Sequence, residues 1–278
     1  MMECRGRTLP LGERTLIMGI LNVTPDSFSD GGVYSDPAAA ILRAKQMVAD
    51  GADIIDIGAE STKPGYRPVA QEEELARLLP VLQAIVRETP VPISVDTTKA
   101  AVAEQALAAG AHLLNDQRAL RADPALAGIA AAYQAPVVLM HNQDFSGYHD
   151  LIGDIITYLR ESVQIALEAG ITRDRIIIDP GFGFGKNPRE NLELIRRLKE
   201  LTALGLPVLI GVSRKLTIGR VLDLPVDQRL EGTAAAVAVS IVNGADIVRV
   251  HDVKEMSRVA RMTDAIIRSG GGDKDGDG

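Results

Sequence analysis

The chain has 278 residues, 46% apolar and 24% charged, with a net charge of −7. That length is too great for a small stapled module and fits one large α/β barrel or two small domains, and the composition excludes a wholly disordered chain. The acidic balance argues against a broad nucleic-acid-binding face, so an anionic substrate would need a local cluster of cations.

Taken in chain order, residues 1–14 come first. They carry Leu9-Pro10-Leu11-Gly12-Glu13 between strand-like residues, which predicts a hairpin closing the bottom of a barrel. From Thr15 one pattern recurs: a short Ile- and Val-rich run ends in a polar residue, and a helical stretch follows. The runs are Leu16–Leu21, Ile54–Ile57, Ile93–Val95, His112–Leu114, Val137–Met140, Ile176–Ile178, Val208–Val212 and Ile247–Val250. Such nearly continuous apolar runs suit parallel strands buried on both faces. The stretches between them match the length of right-handed crossovers. Eight such units over residues 15–268 predict a single (β/α)₈ barrel domain. Gly51, Gly110 and Gly244 each precede a strand, where a left-handed helix end is needed. Residues 269–278 are Gly, Asp and Lys with nothing to bury, and are expected to be disordered.

Cys4 is the one cysteine, so there is no internal disulfide and no cysteine-based zinc site. No apolar run approaches the roughly 18–20 residues of a membrane span, and no signal-peptide core stands at the N-terminus. The expectation is a cytoplasmic protein with no nucleic-acid or membrane partner. The chain has no Trp, so a flat ligand would be sandwiched by other planar or soft groups.

The residues that stop the strands are Asn22, Asp56 with Glu60, Asp96, Asn115, His141, Asp179, Ser213, and Arg249 with His251. Singly, each reads as a strand-end turn or a helix cap. Together they predict a polar mouth at the C-terminal face of the barrel, with cations from Lys215 and Arg249. Arg214 is read as an outward surface charge. Asn22–Gly32 forms a long polar loop with the shape of a lid, and Phe28 in it suggests a ligand-covering wall. Asp179-Pro-Gly-Phe-Gly-Phe-Gly185-Lys186 reads as a carboxylate on a tight turn that a flat ligand can approach closely.

Eight stretches resemble the dihydropteroate synthase family. They are Gly19–Gly32, Asp56–Gly65, Ser94-Val-Asp96, Asn115-Asp116, Met140-His141, Asp179–Lys186, Ser213-Arg-Lys215 and Arg249-Val-His251. The resemblance runs from about Leu16 to Ile267. It implies a folate-biosynthesis transferase on a (β/α)₈ barrel, typically homodimeric and a sulfonamide target. The reaction would join 6-hydroxymethyl-7,8-dihydropterin diphosphate to 4-aminobenzoate, through a dihydropterin cation, with Mg²⁺ assisting. Matching positions imply that Asp96, Asn115, Met140, Asp179, Lys215 and Arg249 meet the pterin. Asn22, Lys63, Arg249 and His251 would hold the diphosphate, with Asn22 on the metal. Thr62, Pro64, Phe28, Phe184, Ser213 and Lys215 would form the 4-aminobenzoate slot. Asp96, Lys215 and Arg249 are the implied catalytic residues.

The chain departs from the family at Lys63, where arginine is usual, at Gln117-Arg118-Ala119, where a small Gly-containing stretch is usual, and at Asn142-Gln143-Asp144, where Met-Gln-Gly is usual. Two alternatives stay open on the sequence. One is a non-catalytic pterin-binding paralogue, which the loop departures allow. The other is a pterin-dependent methyltransferase with a corrinoid partner, which would need neither the first loop nor Ser213-Arg-Lys215.

Overall fold

The computed structural model describes residues 1–23, 37–60, 69–143 and 147–268. Two short strands, β1 (Met2–Cys4) and β2 (Arg7–Leu9), pair antiparallel. Then come β3 (Leu16–Asn22), α1 (Pro37–Ala49), β4 (Ile54–Gly58), α2 (Gln71–Glu88), β5 (Ile93–Asp96), α3 (Ala100–Ala108), β6 (Leu113–Asp116) and α4 (Ala125–Ala132). The second half runs β7 (Val137–Met140), α5 (Leu151–Glu168), β8 (Ile176–Asp179), α6 (Pro188–Arg196), β9 (Leu209–Ile210), α7 (Leu216–Leu222), α8 (Leu230–Val242), β10 (Ile247–Val250) and α9 (Val253–Arg268).

The eight later strands are all parallel and follow one another around the sheet as β8-β7-β6-β5-β4-β3-β10-β9. A bridge between Ile178 and Val208, with Ile178 N donating to Pro207 O at 2.9 Å, joins the two ends. The barrel predicted from the apolar runs is thus present. Its seventh strand is much shorter than the run Val208–Val212, and its fourth is displaced toward Asp116.

Period-two alternation sorts each strand into two faces. Ile17, Ile55, Ile57, Ile93, Val95, Leu114, Leu139, Ile178 and Val248 face the helices and join the large outer core. Leu16, Met18, Ile54, Leu113, Val138, Ile177, Leu209 and Ile247 fill the barrel interior. Met2, Cys4 and Leu9 of the hairpin pack beneath that inner cluster. The hairpin therefore closes the bottom as expected, but its turn falls at Arg5-Gly6, with φ of 52° and 87°, not in the Pro10–Glu13 stretch. Arg5 donates to the Leu107 and Ala111 carbonyls and Arg7 to those of Val91 and Val86, which pins the hairpin to the α2 and α3 ends. Gly51, Gly110 and Gly244 take the left-handed conformation predicted for them, at φ of 102°, 107° and 96°. Residues 269–278 lie outside the described residues.

Candidate functional site

The inner face that carries Ile54, Leu113 and Ile177 at the bottom must carry Asp56, Asn115 and Asp179 two residues later, because alternate side chains share a face. The same count brings Ser94, Met140 and Arg249 to this level, and Asn22, Gly58, Asp96, Ser213 and His251 to the rim above it. Asp56, Asn115, Met140, Asp179 and Ser213 are buried there, while Asn22 is exposed at the opening. A Cβ on Gly58 would stand 3.8 Å from both Asn22 Oδ1 and Asp96 Oδ2, so Gly58 leaves an open gap between those two groups.

One hydrogen-bonded chain crosses the floor. Asn115 Nδ2 donates to Asp56 Oδ2 at 3.0 Å, and Arg249 Nε donates to the same oxygen at 2.6 Å. Arg249 Nη2 reaches Asp96 Oδ2 at 2.9 Å. Gln117 Nε2 then donates to both Asp96 oxygens, at 2.9 and 2.7 Å. Burial pushes the Asp96 carboxyl upward, Arg249 opposes this, and Asp56 adds to it. Burial alone would lower the Arg249 guanidinium, but Asp56 and Asp96 outweigh it and leave the charge firmly held.

Asp179 sits opposite. Burial raises its carboxyl to about 6, against the pull of Gly181 N and then Lys215. Gly181 N donates to Asp179 Oδ1 at 2.7 Å. Only glycine serves at 181: φ is +71°, and a Cβ would fall 1.9 Å from the His141 carbonyl oxygen. The glycine run thus lets one strand end fold onto its neighbour, a closer approach than the ligand contact read from the sequence. Lys186 staples this turn, with Nζ 2.9 Å from Gly181 O, 3.0 Å from Phe184 O and 3.0 Å from His141 Nδ1.

Lys215 is half-buried at the start of α7, its Nζ 3.9 Å above the centre of the Phe184 ring. Burial and the neighbouring Arg249 lower the ammonium to about 8, with Asp179 and Asp96 holding it up. His251 Nδ1 lies 3.0 Å from Ser213 Oγ. Burial and Arg249 lower this ring to about 4, so at neutral pH His251 contributes hydrogen bonding and no standing charge.

Two strand-end residues do not join the mouth. His141 is wholly buried on the outer side, where its ring meets Tyr158 edge-on at 4.7 Å. Glu60 pairs with Lys99, which also holds the buried Glu74. Arg214 points outward to Asp252, as expected. Phe28, Thr62, Lys63 and Pro64, with the rest of the Thr24–Gly32 and Ser61–Gly65 stretches, lie outside the described residues, as does Asp144.

Sequence reasoning gave Asp56 no task and saw Gln117 only as a departure. Both occupy inward positions of the two-residue count, Asp56 two after Ile54 and Gln117 two after Asn115. That count was the signal that could have found them.

A closed parallel barrel with ionisable groups gathered at the C-terminal strand ends defines a barrel enzyme. A model of the pterin binding enzyme family matches residues 18–251. Dihydropteroate synthase of Bacillus subtilis (strain 168) is 53% identical over 259 residues, covering 93% of this chain and 91% of the relative. Dihydropteroate synthase from Clostridium difficile, crystallised in the presence of pteroic acid, superposes with a TM-score of 0.92 at 49% identity, over 94% of this chain and 100% of that one. The Xanthomonas albilineans enzyme in complex with 7,8-dihydropteroate gives a TM-score of 0.89 at 41% identity, over 95% and 98%. The chain belongs to the pterin binding enzymes, and within them to the dihydropteroate synthases.

Proposed function

We propose that this mouth condenses 6-hydroxymethyl-7,8-dihydropterin diphosphate with 4-aminobenzoate, releasing diphosphate and 7,8-dihydropteroate. The observation that carries the reading is the pair of carboxylates gathered at one mouth, Asp96 on β5 bound to Arg249 and Asp179 on β8 bound to Gly181. A pterin edge sets donors and acceptors side by side. Leaving one such group unpaired in a buried site costs about 1–3 kcal/mol, so a carboxylate with an amide reads that edge selectively. Asp179 and Asn115 supply that pair, Lys215 donates to the ring carbonyl side, and Met140 offers a soft apolar contact to the ring. The Arg249 guanidinium is tied at two nitrogens, which fixes its plane for stacking on the pterin.

In the chemical step the bond between the exocyclic methylene and the diphosphate oxygen breaks, and the electron pair leaves with diphosphate. The pterin is left as a cation beside Asp96, whose carboxylate, held in place by Arg249 and Gln117, stabilises it. The aromatic amine attacks the methylene and then releases a proton. Phe184 and Ser213, beside Lys215, form the described wall of the 4-aminobenzoate slot, with Phe28, Thr62 and Pro64 assigned to it from the sequence. Lys63, Arg249 and His251 are assigned to the departing diphosphate.

Mg²⁺ fits this mouth in one way. Among the described residues no group of three or more His, Cys, Asp or Glu side chains is set to hold a metal. The exposed amide oxygen of Asn22 is a hard oxygen donor at the opening, which suits an ion that arrives with its phosphate and keeps most of its waters. Bound there, Mg²⁺ would neutralise charge on the leaving diphosphate.

We also read the enzyme as a homodimer. α7, α8 and α9 pack side by side and expose Val221, Leu222, Val239, Val242, Met262 and Ile266. Apolar side chains gathered on neighbouring helices in this way mark an interaction face. Among the described residues no helix is long and apolar enough to cross a membrane. The cytoplasmic location is proposed from the sequence.

The deciding test is a steady-state assay with the pterin diphosphate and 4-aminobenzoate. Stoichiometric diphosphate and dihydropteroate are expected. Pterin binding without turnover would favour the non-catalytic paralogue, and turnover of a methyl-pterin donor would favour the methyltransferase. Sedimentation at micromolar concentration is expected to give twice the chain mass.

A further inference from the structure

Along β6 the side chains alternate: Leu113 inward, Leu114 outward, Asn115 inward, Asp116 outward. The next inward position is Gln117. Asp116 fixes it there by folding the chain back immediately. Its buried carboxylate accepts from Arg118 N at 2.8 Å and Leu120 N at 2.6 Å. The tight turn holds Ala119 and Leu120 at φ of 50° and 66°. Gln117 is left buried above Asn115 and beside Asp96, which pairs with Asn115 across β5 and β6.

A guanidinium and a carboxylate left to themselves close into a two-pronged fork. Arg249 and Asp96 do not. Asp56 takes the Arg249 Nε, so Arg249 reaches Asp96 through Nη2 and one oxygen only. Gln117 engages both oxygens from the other side. Asp96 is thus held between a cation on β10 and an amide on the loop after β6.

We infer that Gln117 is a positioning residue for the condensation: its amide holds the Asp96 carboxylate in the orientation that meets the pterin cation, and keeps it from turning onto Arg249. The inference rests on the reaction proposed above. The amide itself touches neither bond that changes, so its effect must pass through Asp96. It therefore weighs on the step in which cationic charge develops, not on 4-aminobenzoate, whose slot lies across the mouth around Phe184 and Ser213.

The test uses the full chain and both substrates. Gln117→Leu removes the donor, and a hydrogen bond to a charged group is worth about tenfold in rate. A fall in kcat of about tenfold is expected, with KM for 4-aminobenzoate within twofold of wild type. Gln117→Glu sets a second carboxylate against Asp96 and is expected to lose more. In an Asp96→Asn background, followed by single turnover at high enzyme concentration, Gln117→Leu should cost less than twofold. Should Gln117→Leu melt below the assay temperature, Gln117→Met and Gln117→Asn are read in the same way. Unchanged kcat, an equal loss in both backgrounds, or a loss confined to KM for 4-aminobenzoate overturns the inference while the reaction stands. A wild-type chain that binds pterin but turns over nothing overturns the reaction, and the inference with it.

Discussion

Arg249 Nε lies 2.6 Å from Asp56 Oδ2, and Asp56 is wholly buried with its other oxygen, Oδ1, unpartnered among the described residues. The cation at the centre of the mouth is therefore held from below by a fully buried carboxylate. Asp56 also takes the Asn115 amide, so one buried side chain orients a residue on β6 and a residue on β10. The floor proposed for the pterin is preorganised through Asp56.

Asp56→Ala should consequently damage stability and binding together. Removing one partner of a buried ion pair costs about 3 kcal/mol, because the other charge stays behind. Urea unfolding is expected to show a loss of that order, and calorimetry a pterin affinity reduced at least tenfold. Unchanged pterin affinity would show that Arg249 and Asn115 are held by something else.

Pterin binding should be strongest between about pH 6 and pH 8, the values to which burial moves Asp179 and Lys215. The sign follows from what each group offers. Asp179 must be ionised to accept from the pterin donors, so affinity falls as pH drops below its raised value. Lys215 must keep its proton to donate, so affinity falls as pH rises past its lowered value. Calorimetry across pH 5–9 is the check, with Lys215→Met flattening the alkaline side only. Asp179→Asn should weaken pterin binding above about pH 6 and flatten the acid side, since its amide sets a donor against the donors of the ring whatever the pH.

Asp116→Ala removes the acceptor for two backbone N–H groups in a turn with two non-glycine residues at positive φ. Unsatisfied buried donors cost about 1–3 kcal/mol. The expected result is a stability loss of about 2 kcal/mol in urea. A fall in kcat should accompany it, because Gln117 loses its place beside Asp96. Asp116→Asn should recover part of both.

Lys63→Ala is expected to weaken binding of the pterin diphosphate while leaving free pterin nearly unchanged. The lysine is assigned to the diphosphate from the sequence, and the proposed readers of the ring are Asp96, Asn115 and Asp179. Lys63→Arg should keep or modestly raise activity, since a planar fork makes more simultaneous phosphate contacts than a point charge. Equal losses for both ligands on Lys63→Ala would remove the residue from the clamp.

The barrel was legible in the sequence because its signal is local. Eight apolar runs, each closed by a polar residue, needed no knowledge of what packs against what. The motifs around Asp96, Asn115, Asp179, Lys215 and Arg249 were equally plain in order. Tertiary structure decided which strand-end groups face one another. His141 and Glu60 stop their strands as Asp96 and Asp179 do, yet both turn away from the mouth. His141 goes to the Tyr158 ring of α5 and Glu60 to Lys99. The two-residue count turns Asp56 and Gln117 inward but names no partner for either, since a carboxylate in a strand and an amide in a turn are each ordinary. Their part appears only once the barrel closes and brings β4, β5, β6 and β10 around one guanidinium. Sequence spacing fixes which side of a strand a residue faces, whereas the pairing of charges across a barrel depends on strands that are 193 residues apart in the chain, as Asp56 and Arg249 are.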